Sequence, residues 1–185
     1  MRCGVEVAPL RSDPRDAAEQ VSQALQDEPL EVEERHGDWV RVVTAYDYRG
    51  WMRAEALAEG DGSWPEPAAG LPLEAARSFV GTPYEWGGMT AAGIDCSGLV
   101  HMAHRLAGLC VPRDAWQQEE ASSSVDDPAA GDLVFYGNVG SRADHVAFWL
   151  GDGRILHATA RADLGVVEEL EPAELRARRC SFGRL

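Results

Sequence analysis

The sequence predicts an α+β protein in which a small all-β barrel precedes a unit built from a helix and an antiparallel sheet. Three observations carry this: short alternating apolar runs up to residue 58, a Gly, Pro and Ser-rich stretch at 59–72, and a passage from helical to strand periodicity over 73–160. In the first part, Val5 to Leu10 is a short apolar segment, LEVEERHG (30–37) alternates up to a glycine turn, and DWVRVVTA (38–45) alternates again. Arg49 to Met52, with Gly50 and Trp51, closes it. The acidic EVEERHGD run within it reads as a solvated strand edge. EGDGSWPEPAAGLP, from Glu59 to Pro72, has the composition of a linker, so the domains are expected at 1–58 and 73–185 with the linker 59–72 between them.

The second part opens with LEAARSFVGTPY, where Leu73, Ala76, Phe79 and Val80 recur at helical spacing. A second helix is expected from Cys96 to Leu109, with Leu99, Met102, Ala103 and Leu106 on one stripe and Gly108 near its end. GDLVFYG (131–137), HVAFWLGDG (145–153) and RILHAT (154–159) then read as three strands, the last two joined by a turn at Gly151, Asp152 and Gly153.

Composition removes several kinds of chemistry. The 185 residues include no Lys, so all 17 basic residues are Arg, and no Walker lysine or Schiff-base lysine is available. A net charge of −14 argues against nucleic acid as a partner, because such binding neutralises phosphates with clustered cations. Cys3, Cys96, Cys110 and Cys180 are far apart and suggest neither a zinc site nor a disulfide framework. No stretch approaches the roughly 20 apolar residues of a membrane span, and no leader is visible at the N-terminus, so the chain reads as cytosolic. A chain trimmed of an export signal would read the same way.

The chemistry-bearing segment is IDCSGLV, residues 94–100. Asp95 is suited to cap the helix that follows, which puts Cys96 at its first turn, where unpaired N–H groups and the helix dipole favour a thiolate. Taken alone, such a cysteine is more often a small buried residue. His145 and His157 change that balance. They flank the turn at 151–153, and with a three-residue loop their imidazoles become diagonal neighbours on one face of the hairpin. With a two-residue loop they would fall on opposite faces. In the first case His145 can take the proton of Cys96 while His157 holds its tautomer. His101 and His104 have a spacing that could bind metal, yet no HExxH or carboxylate accompanies them, so they read as surface or packing residues. Cys3, Cys110 and Cys180 have no polar company that would suggest a role.

Together GTPYEWGG (81–88), IDCSGLV (94–100), PRDAWQQ (112–118), GDLVFYG, DHVAFWLGDG (144–153) and ILHAT (155–159) resemble the NlpC/P60 cysteine peptidases. VAPLRSDP (7–14), GDWVRV (37–42) and DYRGWM (47–52) resemble a bacterial SH3 domain. The resemblance implies a papain-like domain, its nucleophile helix packed on an antiparallel sheet, behind an SH3-like barrel. It makes Cys96, His145 and His157 the catalytic triad, with no metal or organic cofactor. The subgroup with this domain order implies a murein stem peptide, L-Ala-γ-D-Glu-diamino acid, as substrate, cut after D-Glu. The free amine of its L-Ala would be held by Tyr84, Asp95 and Ser97, and Tyr48 with Glu19 of the SH3 domain would help wall the pocket. Two other readings are a peptidoglycan-binding module without activity, and an amidase or acyltransferase on the same scaffold.

Overall fold

In the computed structural model, which describes residues 1–64, 66 and 70–185, the chain divides into two compact units. One is Met1–Glu66 with Trp86–Gly88, the other Pro67–Glu85 with Met89–Leu185. Residues 65 and 67–69, inside the expected linker, lie outside the described residues. Trp86–Gly88 group with the first unit, although sequence continuity had put them in the second. Gln20 explains this, since its side-chain amide donates to the Trp86 carbonyl at 2.9 Å.

The first unit holds β1 (Arg2–Cys3), β2 (Val7–Arg11), β3 (Gln20–Leu25), β4 (Leu30–His36), β5 (Trp39–Thr44), β6 (Arg49–Arg53) and β7 (Leu57–Ala58). Five of these form an antiparallel sheet in the order β3-β2-β6-β5-β4, and β1 pairs with β7. Inward positions of the alternating runs, Ala8, Leu10, Leu30, Val40, Val42 and Met52, form its core. β4 is an edge strand whose Glu31, Glu34, Arg35 and His36 are exposed, as its acidic run suggested. β3 went unread because its sequence, QVSQAL, does not alternate: Ser22 and Gln23 are buried beside Ala24.

The second unit comprises α1 (Pro72–Arg77), β8 (Met89–Thr90), β9 (Gly93–Ile94), α2 (Cys96–Leu106), α3 (Ala115–Ala121), β10 (Ser123–Ser124), β11 (Leu133–Tyr136), β12 (His145–Gly151), β13 (Arg154–Thr159), β14 (Gly165–Leu170), α4 (Ala173–Arg176) and β15 (Arg179–Arg184). Six strands form one antiparallel sheet, β10-β15-β11-β12-β13-β14. α2 packs against β12, β13 and α1 and is buried along nearly its whole length, so it is a central helix and not a surface one. The helical spacing runs from Leu73 to Val80, but the helix stops at Arg77, and Val80, expected on its apolar stripe, is exposed. No helix among the described residues is long and apolar enough to cross a membrane.

The hairpin that decides the histidine geometry has the shorter loop. Gly151 pairs with Arg154, leaving a two-residue turn of Asp152 and Gly153, both at positive φ. A two-residue loop was expected to separate the histidines. A bulge between Trp149 and Gly151 restores the face, because Leu150 drops out of the pairing and Phe148 then meets Leu156, the register of a three-residue loop.

Candidate active site

Asp95 caps α2 as its sequence position suggests: its Oδ1 accepts from the Gly98 N–H at 2.6 Å. The same carboxylate has a partner that local sequence did not indicate. Arg113 donates from Nη1 to Oδ1 at 2.9 Å and from Nη2 to Oδ2 at 2.8 Å, and both side chains are buried. Arg113 also donates to Ser97 Oγ at 2.9 Å. Gln118 of α3 ties down the surrounding loop, its amide donating to the carbonyls of Ser97 and Pro112 at 3.0 and 2.9 Å. Tyr84 stands half-buried by these groups, and burial above all, with the Asp95 carboxylate nearby, pushes its hydroxyl pKa up. Tyr84, Asp95, Cys96 and Ser97 are therefore brought together at the start of one helix.

The sulfur of Cys96 takes a hydrogen bond from the backbone N–H of Val146, which sets it beside the backbone of His145. Burial, then the Asp95 carboxylate, pushes the thiol up to about 12, against the pull of the Val146 and Ser97 N–H groups and Arg113. The sequence reading had the helix start favouring a thiolate; burial outweighs it. His145 is drawn down to about 3 by burial, then by His157 and Arg178. The resting pair is a neutral thiol and a neutral imidazole.

Behind His145 runs a chain of diagonal neighbours across three strands. His145 Nε2 lies 2.8 Å from His157 Nδ1, and His157 Nε2 lies 3.0 Å from Glu169 Oε1. On β14 Val167 faces His157 and Glu169 faces Ile155, so Glu169 is two positions along on the same face. Arg161 closes the chain with an ion pair to Glu169. Burial opposes the charge of Glu169, but Arg161 and His157 outweigh it and hold its carboxyl below the usual range. The tautomers follow. An ionised carboxylate only accepts, so His157 carries its proton on Nε2; burial lowers the pKa of this ring and keeps it neutral, so its Nδ1 accepts from His145 Nε2–H. That leaves the lone pair of His145 on Nδ1, free to accept a proton.

Other predicted residues fall outside this group. His101 and His104 are packing residues: their Nδ1 atoms lie 2.9 and 2.8 Å from the carbonyls of Val111 and Val100, and His104 stacks on Phe148. Tyr48 and Glu19 are residues of the first unit. There the Tyr48 hydroxyl donates to the Val21 carbonyl at 3.4 Å, and Glu19 accepts from the Trp86 indole N–H at 2.8 Å. Cys3 is buried, whereas Cys110 and Cys180 are exposed, and none of the three is in a disulfide among the described residues. Among the described residues, no group of three or more His, Cys, Asp or Glu side chains could hold a metal ion.

A family model described as the NlpC/P60 family matches residues 81–177, more than half of the chain. The chain belongs to the NlpC/P60 family. A second model, the bacterial dipeptidyl-peptidase Sh3 domain, matches residues 10–57. A γ-D-glutamyl-L-lysine dipeptidyl-peptidase from Bacillus cereus is 31% identical over 124 residues, covering 64% of this chain and 37% of the relative. One of the same name from Bacillus subtilis is 35% identical over 117 residues, covering 58% and 40%. The chain thus spans about two fifths of the length of these curated relatives. A solved NlpC/P60 family protein from Bacillus cereus superposes with a TM-score of 0.59 at 26% identity, over 99% of this chain and 62% of that one.

Within this NlpC/P60 domain, sequence reasoning passed over Arg113, Gln118 and Glu169. Arg113 and Gln118 lie in PRDAWQQ, which was legible as a motif without roles for its side chains. Glu169 had one usable signal: 145, 157 and 169 are spaced by 12, the repeat of successive hairpins that return a residue to the same diagonal. Glu169→Gln keeps the shape but loses the charge that fixes the His157 tautomer. It is expected to lower kcat about tenfold or more, with KM little changed. Steady-state kinetics against pH check this; an unchanged kcat at every pH would remove Glu169 from the proton chain.

Proposed function

We propose that the chain is a cysteine peptidase that hydrolyses the γ-D-Glu to diamino acid bond of murein stem peptides carrying a free N-terminal L-Ala, releasing L-Ala-γ-D-Glu. One observation carries the reading: the Glu169–His157–His145 chain leaves the Nδ1 lone pair of His145 unprotonated beside the backbone against which the Cys96 sulfur is fixed. As the sulfur attacks the γ-carbonyl carbon, its proton passes to His145 Nδ1, so the neutral resting pair becomes charged only as the C–S bond forms. Backbone N–H groups at the start of α2, that of Cys96 among them, are the proposed donors to the oxyanion. His145 then returns the proton to the departing amine, and water, deprotonated by the same nitrogen, hydrolyses the thioester and regenerates the thiol. The chemistry uses thiol and imidazole and calls for no metal or organic cofactor.

On the acyl side, Tyr84, Asp95 and Ser97 are the proposed holders of the L-Ala ammonium. The Arg113 pair changes the physics of that step. Asp95 has its countercharge already, so an N-acylated substrate would not strand a bare buried carboxylate, and selection rests on the fit of the amine among three polar groups. A free-amine tripeptide is therefore expected to be cleaved about tenfold to a hundredfold faster than its N-acetyl form. Mass spectrometry of the products tests this. Equal rates would remove amine selection, and a new amide in place of the free dipeptide would indicate acyl transfer. Amine selection would direct the enzyme to soluble stem peptides, a recycling role in the cytoplasm. Tyr48 and Glu19 remain expectations of the family resemblance, and the proposal rests on the second unit alone.

A further inference from the structure

Tyr136 stands against the proton chain without belonging to it. It ends β11, where it pairs with His145 of β12 on one side and Arg179 of β15 on the other, so the three side chains form a row on one face of the sheet. A bulge makes that row. Phe135 faces Ser181 but Tyr136 faces Arg179, so Cys180 drops out of the pairing; a regular ladder would have set Cys180 there and turned Arg179 to the opposite face.

The Tyr136 ring centroid lies 5.7 Å from that of His145 with the planes tilted by 39°, while His157 meets the same imidazole edge-on at 5.1 Å. Tyr136 is itself fully buried, in a cluster with Val134, Ala147 and Ile155. Its hydroxyl donates at 3.0 Å to Oε1 of Glu171, whose side chain is 0% exposed. Arg179 grips both oxygens of that carboxylate, its Nε lying 3.1 Å from Oε1 and its Nη2 bonded to Oε2, and Arg176 Nε donates to Oε2 at 3.0 Å. The Glu171 N–H donates to the Gly153 carbonyl at 2.8 Å, which fixes the backbone that carries the carboxylate. Burial and the Glu171 charge push the Tyr136 hydroxyl up, so it stays a donor and exchanges no proton with the site.

We propose that Tyr136 is a positioning residue for His145, its ring setting the plane of the imidazole and its tether to Glu171 setting the ring. The inference rests on the proposed peptidase chemistry. The bond from His145 Nε2 to His157 fixes one point of the imidazole, about which the ring can still swing. The Nδ1 lone pair is aimed only when the face of the ring is held as well. An apolar side chain in place of Tyr136 would give contact without a tether. A buried carboxylate is costly to keep, and here two guanidinium groups satisfy its charge, so the Tyr136 hydroxyl has one fixed place to point. His145 is thus held from two sides, by Glu169 through His157 and by Glu171 through Tyr136.

The test is a pair of variants at Tyr136 in the full chain, read by kinetics on L-Ala-γ-D-Glu-meso-diaminopimelate and by proton NMR of the imidazole N–H groups. Tyr136→Phe keeps the ring and loses the tether, so kcat is expected to fall about threefold to tenfold with KM little changed. Tyr136→Leu loses the flat face too and should lower kcat about a hundredfold. The His145 Nε2–H signal, identified by its loss in His145→Gln, should broaden in the same order as the imidazole gains other orientations. A merely structural part for Tyr136 predicts instead a lower melting temperature with kcat and the imidazole signal unchanged, and that result in Tyr136→Phe overturns the proposal while the peptidase reading stands. If Tyr136→Leu does not fold, Tyr136→Phe decides alone. A parent chain that cleaves nothing overturns the peptidase reading, and the positioning role with it.

Discussion

Cys96→Ala is expected to abolish hydrolysis of L-Ala-γ-D-Glu-diaminopimelate, a loss of about 10⁴-fold or more, while the protein keeps its fold. Every other part of the proposed machinery prepares this one sulfur: the capped helix start holds it, the Val146 N–H fixes it, and the His145 lone pair is aimed by two further side chains. None of them can form the acyl bond in its place. The side chain is 6% exposed, so its removal leaves a small void and costs about 1 kcal/mol of stability. A melting curve beside the assay therefore separates loss of chemistry from loss of structure. Retained cleavage in a folded Cys96→Ala protein would rule out the covalent mechanism, and an inactive parent chain would favour the reading as a binding module. A thiol-specific probe that labels Cys96 in the parent chain distinguishes these before any substrate is made.

Arg113→Ala is expected to remove about 3–5 kcal/mol of stability, because it leaves the Asp95 carboxylate buried without its countercharge. The side chain is 1% exposed and among the largest fully buried ones in the protein. Activity should fall together with stability, since Asp95 both caps α2 and stands next to Cys96, the proposed nucleophile. Arg113→Lys should not restore either, as a single ammonium cannot span the two carboxylate oxygens while also reaching Ser97. The double variant Arg113→Met with Asp95→Asn is the informative control: removing both charges should recover much of the stability and none of the activity. Chemical denaturation gives the first quantity and peptide hydrolysis the second. A single Arg113→Ala variant as stable as the parent would mean that water or another group satisfies Asp95.

The parts of the site that local sequence made legible are those whose chemistry depends on near neighbours. Asp95 before Cys96 is a capping signal within one turn, and it caps as expected. The strands bearing His145 and His157 were visible from alternation, as was their turn at Gly151 to Gly153. The turn type was not. Whether two strand residues share a face depends on the register to a single residue, and the bulge at Leu150, with no mark in the residue pattern, decides it. Beyond Thr159 the pattern offered little: β14 and β15 carry no clean alternation, and with β14 went Glu169.

The sequence by itself determined the family and the order of the two domains, and it singled out Cys96, His145 and His157 as the proposed triad, because these sit in short motifs whose spacing is local. Only the tertiary structure decided that Arg113, 18 residues after Asp95, neutralises the carboxylate expected to await the substrate. It likewise decided that Glu169 sets the proton positions on both histidines and that burial holds Cys96 as a thiol. Each of these depends on which distant segments are packed together and how much water that packing excludes. Charge state and tautomer are properties of the assembled site, while the candidates for the reacting atoms are written in the chain.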